Sequence, residues 1–244
     1  MASPSPAAYP LAELVREAWA RSFADRVPVV RAAALWVGAS VLVEGLARFA
    51  RDPAQGGMSL LDLLALAIGW LGLSAVTVWR IRALLAGAPL PRLMAPVDRF
   101  VIRYAVAELL LGALGLLPGF LAIALLGPHL GLPLAGLVGF AGAIALFARL
   151  HLVLVAAALG EPGLGFDRSW RATAGIWPRA ALALLACAAP LALLGGQLGA
   201  TIAAFGAPLL GSAVASTGAH AQAAVLGTFL AESRRRLAGP PLFA

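Results

Sequence analysis

The sequence predicts an all-α fold, a polytopic transmembrane helical bundle of about six spans. An amphipathic N-terminal helix precedes it, and a short interfacial helix stands before span five. Three observations predict this. Hydrophobic residues make up 61% of the chain and charged residues only 12%, where a soluble domain carries about 25% charged residues. Mean hydropathy is +0.92. Apolar stretches of roughly twenty residues recur, each long enough to cross about 30 Å of hydrocarbon.

Residues 1–27 read as an N-terminal tail and an amphipathic helix. "MASPSPAAYP" has no basic segment followed by an apolar core, so no cleavable signal peptide is predicted. After Pro10, Leu11, Leu14, Val15 and Ala18 share one helical face while Glu13, Arg16 and Glu17 face away. That pattern suits a helix lying in the membrane interface, or one capping the loops. Residues 28–232 form the transmembrane domain, with spans at about 28–47, 58–79, 104–126, 133–158, 180–203 and 208–230. Residues 233–244 read as a basic C-terminal tail.

Six spans place alternate loops on opposite sides. Arg16, Arg21, Arg26, Arg31, Arg80, Arg82, Arg92, Arg99 and Arg103 then share one side. Arg149, Arg168, Arg171, Arg179, Arg234, Arg235 and Arg236 join them, leaving only Arg48 and Arg51 opposite. By the positive-inside rule both termini are cytoplasmic, and five or seven spans would destroy the bias. The basicity, with a pI near 11.3, points to anionic lipid headgroups at that face rather than to nucleic acid.

Ionisable groups inside spans default to functional candidates. Glu108 in the third span and Arg149 in the fourth are expected at similar depth and form a candidate intramembrane pair. Glu44 and Arg48, spaced i, i+4, with Asp62 close by, suggest a lock at the opposite edge. Ser212, Ser216 and His220 recur every four residues as a candidate polar stripe, beside small residues Gly211, Ala215, Ala219 and Ala223. Small faces let helices approach closely, so packing explains the stripe as readily as a solute pathway does. His151 reads as a packing histidine. Pro118 and Pro190 fall mid-span, where transporters often break helices.

No H-E-x-x-H, C-x-x-C or P-loop motif occurs, and the three histidines are scattered. No catalytic residue, metal site or cofactor is therefore expected. The lone Cys187 can make no intramolecular disulfide.

The stretch "GFDRSWRATAGIWPR", residues 165–179, gathers charge and aromatics. On a helical wheel Phe166, Trp170, Thr173, Ala174 and Trp177 share one side, and Arg168 and Arg171 project from the other. Gly175 ends this short helix and Pro178 starts the next span. Arg168, Trp170, Arg171, Trp177 and Arg179 are thus candidate lipid-headgroup contacts, since half-apolar indoles suit that depth.

The longer segment "ARLHLVLVAAALGEPGLGFDRSWRATAGIWPR" resembles the YciC-like proteins and the membrane domain fused to some bacterial glycerophosphodiester phosphodiesterases. Arg149, Glu161, Arg168, Ser169, Trp170, Thr173 and Gly175 occupy the pattern positions; the proline usual after the arginine is absent from "LVAAAL". The resemblance implies a multi-span unit with no catalytic part of its own. Three functions follow as expectations: a non-enzymatic, lipid-interacting or membrane-organising protein of the bacterial inner membrane; a small-solute transporter or channel; or an accessory subunit of a membrane complex. Membrane lipids are the expected partners, with a membrane-protein partner or homo-oligomer next.

Overall fold

Pro10 precedes the first helix, where its missing N–H removes nothing from the hydrogen-bond ladder. The computed structural model describes residues 10–50, 59–89, 94–161 and 165–238; Arg51, Arg92 and both chain ends lie outside them. Helix α1 (Leu11–Ala24) bends at Asp25 into α2 (Arg26–Ala50). Down this rod, Glu17 and Glu13 meet Arg236, Ser22 meets Thr228, and Gly45 faces Leu209. The rod therefore runs antiparallel to the last helix, α9 (Pro208–Ala238). This corrects the interfacial reading of the N-terminal helix. Leu14 and Ala18 are fully buried against protein, and Trp19 donates to the Ala186 carbonyl. An amphipathic period shows that one face is covered, but not whether lipid or protein covers it.

Ser59 and Asp62 form a reciprocal capping box that starts α3 (Leu60–Leu85), which answers for Asp62. Asp98 caps α4 (Arg99–Leu130) by accepting from the Phe100 and Val101 amides. Gly131, at φ +79°, makes the tight turn into α5 (Leu132–Leu159). The elbow holds α6 (Phe166–Ala172), after which Pro178 opens α7 (Trp177–Ala188). Pro190 starts α8 (Pro190–Ala204) after a break at Ala189, so the fifth span is two helices. Pro118 breaks nothing: α4 is continuous through it, and its ring packs where Gly142 has no side chain.

Among the described residues five helical segments are long and apolar enough to cross a membrane: Arg26–Ala50, Leu60–Leu85, Arg99–His129, Leu132–Leu159 and the α7–α8 pair Trp177–Ala204. This is a multi-pass membrane protein with an all-α fold, and no strand occurs among the described residues. The expected sixth span is α9, which is too polar to qualify on apolarity. Yet from Leu209 to Glu232 it runs alongside α2 and then α1, about 35 Å at 1.5 Å per residue. It packs on α1, α2, α3, α5, α7 and α8. A central helix faces protein rather than lipid, so it can carry serine, threonine, histidine and glutamine if each finds a partner. The tail assigned to 233 onward likewise begins as helix, with Ser233 and Arg234 buried.

The apolar core gathers toward the arginine-rich end, around Trp79, Tyr104, Leu154, Ile176 and Phe229. Toward the other end the α4–α5 hairpin packs mainly on itself and exposes Leu116, Phe120, Leu137 and Phe140. Water would not tolerate such a surface, whereas lipid tails meet it at no cost.

Candidate functional site

Three groups of side chains stand out, and the first is the elbow. Ser169 and Thr173 are fully buried, and their hydroxyls donate to the Arg149 carbonyl at 2.8 and 3.0 Å. The Arg149 guanidinium lies over the Trp170 ring, 4.0 Å from its centroid, within cation–π range. The hydroxyls thus dock α6 on α5, while Phe166, Trp170 and Trp177 remain exposed together. Arg171 pairs with Asp167 on the outer surface, and Arg168 and Arg179 are exposed beside them. The wheel placed Thr173 on the aromatic side; the structure turns it inward, and α6 ends at Ala172, before Gly175. Replacing Ser169 by Ala together with Thr173 by Val removes two anchoring hydrogen bonds, each worth about 1 kcal/mol. The expected result is faster proteolysis within 165–176 at unchanged helix content, checked by limited digestion and circular dichroism.

Glu108 and Arg149 do not form the expected pair. Gly119 abuts Gly139 across the α4–α5 hairpin, a register that sets Leu109 level with Arg149, so their depths do match. Their faces differ. The Glu108 carboxylate accepts from Ser74 Oγ at 2.9 Å and Trp70 Nε1 at 3.2 Å, both on α3. Among the described residues Arg149 has no carboxylate partner.

The arginine-rich end is stitched by ion pairs. Glu232 binds Arg21 and Arg235, Arg236 spans Glu13 and Glu17, and Arg80 reaches Asp25 at 2.8 Å. Deepest is Arg234 with Glu161, 3.1 Å apart with side chains 3% and 2% exposed. The tail reading missed Arg234 because it treated a run of three arginines as solvated. Only the helical period, which points one of three inward, could have singled it out.

The third group is a cleft of about 420 Å³ between α2, α3, α8 and α9. Ser212, Ser216 and His220 all line it, so the polar stripe is brought together. Ser40, Glu44 and Arg48 line the facing side. Their own every-four spacing is the signal that matches the stripe, and sequence reading took only two of them, as an edge lock. The Glu44–Arg48 pair of that lock is present, without Asp62: Arg48 Nη2 donates to Glu44 at 2.5 Å and, on α9, to Ser212 Oγ at 3.3 Å. From this charged mouth to His220 is eight residues of α9, about 12 Å. The walls are small residues, among them Gly69, Gly199 and Ala203.

At the bottom, His220 Nδ1 lies 2.8 Å from the Ser216 carbonyl. A carbonyl only accepts, so Nδ1 carries a proton and donates. His220 Nε2 and Ser40 Oγ are buried without a hydrogen-bond partner among the described residues. Gly72 leaves the room Nε2 occupies, since a methyl there would stand 2.7 Å from it. His151, by contrast, is a packing residue on the ring of Phe229 with Nδ1 on the Ala148 carbonyl. No group of three or more histidine, cysteine, aspartate or glutamate side chains able to hold a metal occurs among the described residues.

No family model, curated protein or solved structure matches this chain.

Proposed function

We propose that this chain is a non-enzymatic, lipid-interacting protein of the bacterial cytoplasmic membrane, related to the YciC-like group. Both termini are cytoplasmic in this reading, and the elbow holds anionic headgroups at that face. One observation carries it. Arg149 is held over Trp170 with no carboxylate partner among the described residues, on a surface that also presents Phe166 and Trp177. A cation held over an indole beside exposed aromatics offers an anion a preformed partner. The docking of Ser169 and Thr173 on Arg149 also gives the family-like pattern a physical sense, because those residues position one another.

The test is the double substitution Arg168→Glu with Arg171→Glu. Each arginine near an anionic surface contributes about 1 kcal/mol, so loss of the two should lower co-purified anionic lipid by about thirtyfold. Lipid mass spectrometry that shows unchanged anionic lipid would overturn this reading. The cleft favours a second reading, a small-solute transporter, which flux in reconstituted vesicles distinguishes from the first.

A further inference from the structure

We propose that the cleft between α2, α3, α8 and α9 is a binding site for a neutral, hydroxyl-bearing group, a polyol or sugar. The site is separate from the arginine-rich elbow and does not rest on the lipid reading given for that elbow.

The chemistry of the lining selects the ligand. Its charges cancel, because Glu44 and Arg48 at the mouth pair with each other. A ligand with net charge would have to break that pair or stand in a low-dielectric cleft without a counter-ion. Below the mouth the cleft offers hydroxyls and one imidazole, not further charge. On a neutral His220 ring the Nδ1 proton is committed to the Ser216 carbonyl, leaving Nε2 a bare acceptor that requires a donor. Ser40 Oγ, against Gly69 one helical turn toward the mouth from Gly72, lacks a partner of either kind. A ligand hydroxyl donates and accepts at once, so a pair of hydroxyls answers both atoms once the lining side chains shift to uncover them, since both are closed to water as the cleft stands. Leaving a buried donor or acceptor unanswered is costly. The volume, about 420 Å³, lies within the usual range for small-ligand sites.

The walls fit the same ligand. Glycine and alanine leave backbone and hydroxyl edges accessible, and they leave the width that leucine would fill. Exposed Ala200 and exposed Arg48 line the cleft, so it is open at the mouth. Such a hydroxyl group can arrive on a lipid headgroup or as a free solute.

Native mass spectrometry of the full chain distinguishes these. The protein is released from a detergent without hydroxyl headgroups and offered glucosyl-diacylglycerol or phosphatidylcholine of the same acyl chains. The expected result is at least a tenfold excess of the glucosyl-lipid adduct. Ser216→Leu, which fills the cleft, should abolish that excess. Ser40→Ala removes one hydroxyl without adding bulk, should weaken the excess several-fold, and serves alone if the leucine variant does not fold. Free glucose that displaces the adduct identifies a solute site; glucose that does not displace it identifies a lipid site. Equal adducts of the two lipids, or an excess that survives both substitutions, would overturn the proposal. The Arg168→Glu, Arg171→Glu variant should keep the glucosyl-lipid excess, which separates failure at the cleft from failure at the elbow.

Discussion

Glu161→Ala is expected to destabilise the protein by about 3–5 kcal/mol, the range measured when one partner of a buried ion pair is removed. The pair leaves little room for relief. Arg234 and Glu161 are 3% and 2% exposed, and Arg234 Nη2 donates to both carboxylate oxygens, at 3.1 and 3.3 Å. The cost comes from leaving a buried cation without its carboxylate as well as from the lost attraction. Replacing both residues, Glu161→Leu with Arg234→Met, should recover most of the loss, since a well-packed apolar pair is often as stable as a buried ion pair. Reversible unfolding in mixed micelles measures both variants. A single-variant loss below about 1 kcal/mol, the level of an exposed pair, would show that Arg234 finds water or another acceptor there.

Gly211→Val should separate α8 from α9. A Cβ on Gly211 would overlap the Gly199 carbonyl oxygen, and one on Gly199 would overlap the Gly211 carbonyl oxygen. Both obstacles are backbone, so no rotamer change relieves them and the helices must move apart. Overpacking of this kind costs about 1–3 kcal/mol and more where backbone must shift. The contact continues at Gly195 and Gly218, where each methyl would stand 3.0 Å from the other's Cα. Close approach also lets Gln222 reach the Cys187 carbonyl and the Leu191 amide across the seam. Losing the seam should therefore lower stability by about 3 kcal/mol in the same unfolding measurement. Gly196→Ala is the control: nothing lies within 4 Å of the added methyl, and the residue is exposed. That substitution should be neutral or stabilising by up to about 1 kcal/mol through helix propensity.

These two sites also show what a linear pattern can and cannot carry. The small-residue face around Gly211 was legible as a packing face, because glycine and alanine at helical spacing have one obvious physical use in a membrane. Its partner was not, since Gly195 and Gly199 match it only after the helices are folded side by side. Glu161 was legible as the acidic end of a recurring pattern. That it neutralises Arg234, 73 positions away, depends on the way α9 threads the bundle. The Glu108–Arg149 expectation shows the same limit. Helix lengths set depth correctly, but the direction each side chain takes around its helix went to Ser74 and Trp70 in one case and to Trp170 in the other.

By itself the sequence determined the membrane class, the all-α fold and the order of the long apolar helices. It did so because each follows from local rules: apolar length against hydrocarbon thickness, and proline at helix starts. Tertiary structure decided the rest. It stood the N-terminal helix upright along α9, placed the most polar long helix at the centre, and joined two separate every-four stripes into one cleft. Those outcomes turn on which helix faces which, and a helical period leaves that open. It says that one side of a helix is covered, while the identity of the cover comes from the rotation and neighbours that only packing fixes.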